Sequence, residues 1–360
     1  MSAQGVKNIL IASAHVPFTS GGAEVLIAQL KKALVDNGYT VDVVQLPFVA
    51  QPKESLLKQV AIWRALDVRH FAGRDVDMVL CTKFPSYMVS HPRKVLWLIH
   101  QYRQIYDLYG TRFGDVSVSP DDEALRRMLL KADKVALGEC VSRFTISDNV
   151  RDRLSRYLDC GSKTLVPPLP LENAYYSGKS SNYILSVGRI CSIKRVDLIV
   201  KAMAQIDDSL VLKVVGEPDE LNIESYLHSE IDKHHLWDRV EFLGKVDNDR
   251  LLALYAHAFV VYYAPFDEDL GFVTMEALKS GRPVITASDS GGSLSYVEHE
   301  KNGLVVQPNE QSIADAINRL VHDKDLYERL HKTASLGIDI LSWKAVVNSL
   351  IGGNTTATVE

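Results

Sequence analysis

Two glutamates eight residues apart stand out in the segment PFDEDLGFVTMEALKSGRPVI, which covers residues 265–285. Glu268 lies in a predicted loop, and Glu276 lies in the first turn of the predicted helix that follows. Gly271 lets the backbone approach a ligand closely, and we expect Thr274 to cap the helix. A carboxylate can accept hydrogen bonds from two adjacent hydroxyl groups, and a ribose presents such a pair. The segment therefore predicts a sugar site, unless Glu276 only stabilises the helix dipole.

Two cations follow a predicted strand in the same half of the chain. Arg189 comes directly after Gly188, and Lys194 follows five residues later at the start of a predicted helix. Two cations beside a helix N-terminus are typical of an anion site, and a diphosphate has charge enough for both. The backbone N–H groups of residues 270–273 are expected to face the same anion. The alternative is a basic turn on a solvated surface.

Alternating strands and helices must position these residues. In the first half, strands are predicted over residues 7–13, 40–46, 76–82, 94–100 and 142–148, and helices over 23–38 and 124–133. In the second half, strands are predicted over 183–189, 210–216, 240–246, 258–265, 283–288 and 302–308, and helices over 195–206, 221–236, 249–257, 312–323 and 337–351. The apolar runs are of the buried parallel type. The pattern predicts two doubly wound α/β domains facing a cleft, where ligands usually bind.

A stretch rich in proline and serine divides the two halves. We predict an N-terminal domain over residues 1–165, a linker over 166–182 and a C-terminal domain over 183–336. Residues 337–360 are predicted to form a helix followed by a disordered tail.

The composition is that of an ordinary soluble globular protein, with 46% hydrophobic and 24% charged residues among 360. The four cysteines show no CxxC spacing, which indicates reduced thiols in a cytoplasmic protein rather than disulfides or a zinc site. No segment has the length of a signal peptide or a membrane span. Dense basic runs with interleaved aromatic residues are missing from the sequence, so nucleic acid is not an expected partner.

The net charge of −5 is unevenly distributed. Residues 1–165 hold 22 Lys and Arg against 17 Asp and Glu, whereas the remainder holds 18 against 28. Within the basic half, residues 54–71 place Leu57, Val60, Trp63 and Leu66 at helical spacing among lysines and arginines. We expect this helix either to pack on its own sheet or to contact an anionic membrane.

The segment 265–285 resembles the E-x7-E signature of retaining nucleotide-sugar glycosyltransferases of family four, the group 1 class with the GT-B fold. Other pieces of the family pattern occur in the expected order over nearly the whole chain. They are Pro17, Gly21-Gly22-Ala23-Glu24, His100, Gly188-Arg189, Lys194, Gly216, Phe242-Leu243-Gly244 and Ser342-Trp343. Two positions depart from the pattern, because Asp269 replaces a glycine and Pro167-Pro168 replaces an Asn-Gly pair.

The resemblance assigns roles to domains and to individual residues. It implies that the N-terminal domain is the acceptor-side domain, that the C-terminal domain binds the nucleotide-sugar donor and that the helix in residues 337–360 crosses back to the N-terminal domain. It implies that His100, Glu268, Arg189 and Lys194 are catalytic, with the two cations on the diphosphate, Glu268 near the transferred sugar and His100 pointing at that sugar. It implies a donor-binding set made of Gly21, Gly22, Arg189, Lys194, Gly216, Leu243, Leu270, Gly271, Phe272 and Glu276, with Glu276 on the ribose.

The resemblance also implies the reaction. A hexosyl group would pass from a nucleoside-diphosphate sugar, with UDP or GDP as the nucleotide, to a glycan or lipid-linked acceptor with retention of configuration. The departing phosphate would take the acceptor's proton, so no enzymic nucleophile, metal or further cofactor is expected. Arg189, Lys194 and the helix N-terminus would stabilise the leaving group.

Other functions fit parts of the sequence. The triplets 247–249 and 267–269 spell DxD, a metal-binding pattern of another glycosyltransferase fold, and Glu268 with Glu276 could act as a glycosidase pair. A nucleotide-dependent dehydrogenase is disfavoured because no GxGxxG follows the first strand. An epimerase of nucleotide sugars with the same fold, or a protein that only binds them, remains the main alternative.

Overall fold

The structure is a computed structural model that describes residues 5–18, 21–116, 118–336 and 340–352. The chain divides into two compact units, one that ends at Pro170 and takes up the chain again from Ile340, and one that begins at Leu171. The division falls inside the segment 166–182. The last eight residues, for which a disordered tail is predicted, lie outside the described residues.

The first unit is built on a parallel sheet. Its strands are β1 (Asn8–His15), β2 (Thr40–Pro47), β5 (Met78–Lys83), β6 (Lys94–His100), β7 (Ser142–Thr145) and β8 (Lys163–Thr164), and the short strands β3 (His70–Phe71) and β4 (Arg74–Asp75) form a separate antiparallel ribbon. The sheet order is β2-β1-β5-β6-β7-β8. Strands β5 and β6 are buried almost throughout, as expected of central parallel strands.

Helices cover this sheet. They are α1 (Gly22–Asp36), α2 (Ser55–Ala65), α3 (Pro120–Gly138), α4 (Asp148–Leu158) and, from the end of the chain, α11 (Trp343–Gly352). The last helix belongs to the first unit and buries Val346, Val347, Leu350 and Ile351. The indole ring of Trp343 meets that of Trp97 edge to face, with 6.1 Å between the ring centroids.

The second unit contains the strands β9 (Tyr183–Val187), β10 (Val211–Val215), β11 (Val240–Gly244), β12 (Val260–Tyr262), β13 (Val284–Ala287) and β14 (Gly303–Val306). All pair in parallel, in the order β11-β10-β9-β12-β13-β14. Counted along the chain, this is the 3-2-1-4-5-6 order of the Rossmann fold. The strand order reverses between β9 and β12, and such a point is where open α/β sheets bind ligands at the carboxyl ends of their strands. The predicted doubly wound α/β class is confirmed.

Helices on both faces complete the second unit. They are α5 (Val196–Ala202), α6 (Ile223–His234), α7 (Asn248–His257), α8 (Phe272–Lys279), α9 (Glu310–His322) and α10 (Lys324–Ala334). The apolar faces of α5, α6, α9 and α10 pack with the strands into one core of aliphatic residues that includes Tyr262 and Tyr327. The guanidinium of Arg282, fully buried after α8, donates hydrogen bonds to Ser177, Gly178 and Ser180. This arginine ties the segment before β9 to the sheet.

Two helices and one cap differ from the sequence predictions. No helix was predicted over α4 or α10, yet Ser147 and Asp323 cap them by accepting hydrogen bonds from the N–H groups of Val150 and Leu326. At α8 the predicted cap is wrong, because Gly271 precedes the helix and Thr274 is its third residue. The Thr274 hydroxyl is buried and has no hydrogen-bond partner. Glu276 is therefore the fifth residue of α8 and lies beyond the first turn.

Candidate active site

Backbone rather than side chains forms the carboxyl edge of three neighbouring strands of the second unit. Gly188, Gly216 and Gly244 stand at the ends of β9, β10 and β11, and the N–H of Gly216 donates to the carbonyl of Gly244 over 2.9 Å. Gly216 has a φ of +137°, and a Cβ atom there would lie 1.9 Å from the carbonyl oxygen of Gly188. Only glycine fits this position. At Gly188 and Gly244 a Cβ atom would meet no atom within 4 Å, so no side chain covers the edge at these strand ends.

The two cations of the predicted anion site lie at the end of β9, and each has a carboxylate partner. Lys194 donates to Glu268 over 2.6 Å and to the hydroxyl of Tyr263 over 3.1 Å. Arg189 pairs with Asp219 in the loop after β10. Tyr263 directly follows β12, so Lys194 and Glu268 meet between β9 and β12, where the strand order reverses.

The neighbouring acidic groups keep both Lys194 and Arg189 positively charged. Burial lowers the pKa of Lys194, but Glu268 and Tyr263 outweigh this effect and hold the pKa above its ordinary value. Burial likewise opposes the charge of Arg189, whereas Cys191, Asp219 and Glu268 raise its pKa. Both side chains are thus cations at neutral pH, at 16% and 50% side-chain exposure. An anionic ligand can reach them by taking the place of the carboxylates.

The loop that carries Glu268 is fixed by its backbone. The N–H of Gly292 donates to the carbonyl of Glu268 over 2.7 Å, and Glu268 forms a parallel bridge with Gly291. Gly271 has a φ of +87°, and a Cβ atom there would lie 2.6 Å from the Ser293 hydroxyl oxygen. This left-handed residue turns the chain into α8 and packs against the 290–293 turn. Leu270 is buried, and Phe272 is half-buried.

Glu276 lies in a buried pocket of phenols. It is only 9% exposed, and its Oε2 accepts a hydrogen bond of 2.7 Å from the hydroxyl of Tyr255 in α7. The hydroxyl of Tyr175 lies near the same carboxylate and also lowers its pKa. Burial raises the pKa of Glu276, while the two phenols lower it and offset part of that effect.

Of the remaining predicted site residues, two belong to the second unit and three to the first. In the second unit, Gly216 and the half-buried Leu243 lie at the ends of β10 and β11. The other predicted residues, Gly21, Gly22 and His100, belong to the first unit. His100 ends β6, and its Nδ1 lies 2.9 Å from the carbonyl oxygen of Gln101.

The glycine pair of the first unit is held at the N-terminus of α1. Gly22 is the first helical residue, and the N–H of Gly21 donates to Glu24 Oε2 over 3.0 Å. Glu24 Oε1 also accepts from the ammonium of Lys83 at 2.7 Å, at the end of β5. The first unit thus presents a buried cation beside its glycine loop, a residue that sequence reasoning did not identify.

Sequence reasoning also missed Tyr175, Tyr255, Tyr263 and Asp219. The signal for Tyr263 was available, since it directly follows a buried strand on the ligand-binding edge. The two tyrosines at Glu276 are separated by 80 positions along the chain and share no motif with it.

Two sequence hypotheses change with the structure. Within the triplet 247–249, Asp247 caps α7 by accepting from the N–H of Arg250. Among the described residues, no group of three or more His, Cys, Asp and Glu side chains is arranged for a metal ion. In α2 the indole of Trp63 is 1% exposed and packs inside its own unit, which agrees with the first of the two alternatives for this helix. The exposed residues of α2 include Lys58 and Ile62. No helix in the described ranges is long and apolar enough to cross a bilayer.

Solved structures with the same arrangement define the fold class. Sucrose-phosphate synthase from Thermosynechococcus elongatus superposes with a TM-score of 0.75 at 21% identity, covering 94% of this chain and 96% of that one. The Anabaena protein HepE in complex with UDP and glucose gives a TM-score of 0.62 at 17% identity, with 96% of both chains covered. The protein therefore has the GT-B fold, as predicted.

Sequence comparison then gives the family. Residues 173–336 match the model described as glycosyl transferases group 1. An uncharacterized glycosyltransferase of Methanocaldococcus jannaschii is 23% identical over 377 residues, which covers 90% of this chain and 94% of that protein. The part of the chain that forms the second unit thus matches the group 1 glycosyltransferases, in agreement with the predicted family.

Proposed function

We propose that the protein transfers a hexosyl group from a nucleoside-diphosphate sugar to an acceptor hydroxyl, with retention of the anomeric configuration. One observation carries this proposal. Two cations and two glutamates from separate elements of the second unit lie at or near the carboxyl edge of its sheet, around the point where the strand order reverses. Such a set can bind a diphosphate, a sugar and a ribose side by side.

The diphosphate is assigned to Arg189 and Lys194. Its negative charges replace Asp219 and Glu268 as the partners of these cations, which frees the Glu268 carboxylate for the hydroxyl groups of the sugar. A well-placed donor of this kind stabilises a developing negative charge by about 3 kcal/mol. The cations therefore favour departure of the nucleoside diphosphate as well as its binding.

The nucleoside is assigned to Glu276 and the glycine-lined strand ends. The Glu276 carboxylate accepts hydrogen bonds from the ribose hydroxyls, while Gly216 and Leu243 leave room for the base. The solved complex of HepE with UDP and glucose, which shares the fold, supports a nucleotide-sugar donor.

The reaction proceeds on one face of the sugar. The bond between the anomeric carbon and the diphosphate oxygen breaks, the acceptor oxygen bonds to that carbon from the same side, and the acceptor's proton passes to the departing phosphate. No enzymic nucleophile, metal ion or cofactor takes part. The roles predicted for His100 on the sugar and for Gly21 and Gly22 on the phosphates belong to this proposal. The acceptor is a glycan or a lipid-linked sugar, met in the cytoplasm or at the anionic surface of its membrane.

The test uses slow transfer to water, because it needs no knowledge of the acceptor. The protein is incubated with UDP-glucose, GDP-mannose and ADP-glucose, and the first sugar anomer released is identified by NMR. We expect the donor's own anomer, at a rate that EDTA leaves unchanged and that Arg189→Ala lowers strongly. Release of the inverted anomer, or activity lost to EDTA and restored by Mn²⁺, contradicts the proposal.

The same incubation separates the main alternative. An epimerase converts one nucleotide sugar into another without an acceptor, so a new nucleotide sugar in the NMR spectrum would favour that function. A protein that only binds nucleotide sugars would give thermal stabilisation by the donor with no turnover in any mixture.

A further inference from the structure

Two elements that are distant in the sequence converge on the Glu276 carboxylate. Tyr255 comes from α7 and is fully buried, and its hydroxyl donates to Oε2 over 2.7 Å. Tyr175 comes from the segment that precedes β9, and its ring meets that of Tyr255 at 69° with 6.5 Å between the centroids. This ring contact brings Tyr175 beside the carboxylate, whose ionised form it stabilises. Glu276 itself belongs to a third element, α8.

This environment differs from that of the other glutamate. Glu268 has the ammonium of Lys194 as a partner. The described side chains that stabilise ionised Glu276 are two neutral phenols and no cation. A buried carboxylate without a counter-ion depends on the hydrogen bonds that it accepts, and these bonds also fix its orientation.

We infer that Tyr255 and Tyr175 are positioning residues that aim the Glu276 carboxylate at the donor's ribose and so determine how strongly the site prefers ribonucleotides to 2′-deoxyribonucleotides. The inference rests on the assignment of Glu276 to the ribose in the proposed function. With Oε2 held by Tyr255, the carboxylate keeps one orientation, in which it can accept from two adjacent hydroxyls. A freely rotating carboxylate would lose that paired geometry.

The ratio of the affinity for a ribonucleotide to the affinity for its 2′-deoxy counterpart isolates the positioning role of the two tyrosines. Replacing either tyrosine by phenylalanine keeps the ring and removes the hydroxyl. A purely structural defect weakens ribonucleotides and deoxyribonucleotides equally, because both carry the same base and diphosphate. Misorientation of the Glu276 carboxylate weakens the ribonucleotide more than its 2′-deoxy counterpart, which offers only the 3′-hydroxyl. A hydrogen bond to a charged group corresponds to about tenfold or more in affinity.

The experiment measures binding of UDP, GDP and ADP, each beside its 2′-deoxy counterpart, by isothermal titration calorimetry. The variants are Tyr255→Phe, Tyr175→Phe and Glu276→Gln. The matched control is Tyr183→Phe, which removes a buried hydroxyl that donates to the carbonyl of Leu254 in the same helix α7, over 2.7 Å. We expect the ribonucleotide preference to fall about tenfold in Tyr255→Phe. It should fall less in Tyr175→Phe and stay at the wild-type value in the control.

The outcomes separate this inference from the proposed function. A wild-type protein without ribonucleotide preference, or a Glu276→Gln variant that keeps it, overturns the ribose assignment and the inference with it. A preference that is lost in Glu276→Gln but stays within twofold of wild type in both tyrosine variants overturns the inference alone. Thermal unfolding of each variant monitors folding, and if Tyr255→Phe does not fold, the ratio in Tyr175→Phe decides.

Discussion

At the scale of single residues, charge neutralisation explains the architecture of the donor site. Lys194 is largely buried and would be costly there without Glu268 and Tyr263. A diphosphate offers at least as much negative charge as the carboxylate that it displaces. The ligand-free pairing therefore keeps the cation charged and correctly placed until the donor arrives.

Removing this cation tests its share of diphosphate binding. In Lys194→Ala we expect the affinity for the nucleoside diphosphate to fall about 100-fold, since a charged hydrogen bond of about 3 kcal/mol is lost. Calorimetric titration with UDP, GDP and ADP measures the change. Lys301→Ala serves as the control, because Lys301 is 59% exposed and pairs with Glu298 on the surface. Equal affinities in Lys194→Ala and wild type would contradict the assignment.

The ionisation of Glu276 predicts a pH dependence. Burial raises the pKa of this carboxyl, so lowering the pH protonates it earlier than an exposed glutamate. Protonated Glu276 loses acceptor capacity, and the ribonucleotide preference should therefore be full near neutral pH and decline as the pH falls through the raised pKa. The ratio of ribo to 2′-deoxy affinity is measured between pH 5 and 8, because ionisation of the phosphates cancels in it. Tyr255→Phe removes a donor that lowers this pKa, so its decline should begin at a higher pH; a decline at a lower pH would contradict the account.

The motif residues of the site could be predicted from the sequence, whereas the tyrosines that contact them could not. Glu268 and Glu276 share one continuous segment, and Arg189 and Lys194 follow one strand, so spacing alone predicts their proximity to an edge. Tyr175 and Tyr255 reach Glu276 only through the tertiary fold. No periodicity in the chain connects these positions.

At the scale of elements, the turn into α8 sets the position of both glutamates. Gly271 adopts a left-handed conformation between them and contacts the 290–293 turn. Helix starts are poorly determined by sequence when glycine is the N-cap, since no side chain marks the position. For that reason the sequence favours Thr274 as the cap and predicts Glu276 in the first turn, whereas Glu276 is the fifth residue of the helix.

Gly271→Ala tests this turn. The added Cβ meets a left-handed φ and the Ser293 hydroxyl, and we expect about 2 kcal/mol of destabilisation. That corresponds to a drop of about 5 °C in the midpoint of thermal unfolding, together with weaker nucleotide binding. Gly138→Ala at the end of α3 is the control, because an added Cβ there meets no atom within 4 Å. An unchanged midpoint in Gly271→Ala would show that the turn tolerates a side chain.

Strand positions were predicted more accurately than helices. Buried parallel strands are short uninterrupted apolar runs, so β5, β6, β9 and β13 lie close to their predicted ranges. The helix α4 was missed because its composition is strongly polar, although Val150, Leu154 and Leu158 recur at the spacing of one helical turn and are buried. Apolar runs thus suffice to predict the positions of the buried strands, whereas predicting the polar helices also requires recognising their capping residues.

At the scale of the whole molecule, the chain ends in the unit in which it begins. The helix α11 follows the second unit along the chain but packs within the first unit, where Leu350 is fully buried. Its apolar face fills the first unit's core, so the two units are covalently joined twice. This connection was predicted from the resemblance to the family rather than from hydrophobic pattern.

Leu350→Ala tests the contribution of this helix. Truncating a fully buried leucine leaves a cavity and costs about 3 kcal/mol. Because the two units can unfold separately, urea unfolding is followed by hydrogen exchange in each. Protection should fall in the first unit's strands and stay unchanged in the second's. Lys344→Ala, at an exposed position of the same helix, is the control, and equal losses in both variants would contradict the packing role.

The position of the bound nucleotide is the central prediction for the proposed donor site. The most direct test is a crystal structure of the protein with whichever of UDP, GDP and ADP gives the largest thermal stabilisation. We predict diphosphate oxygens within hydrogen-bonding distance of Arg189 and Lys194, and ribose hydroxyls on the Glu276 carboxylate. A nucleotide bound away from these three residues would contradict the central claim.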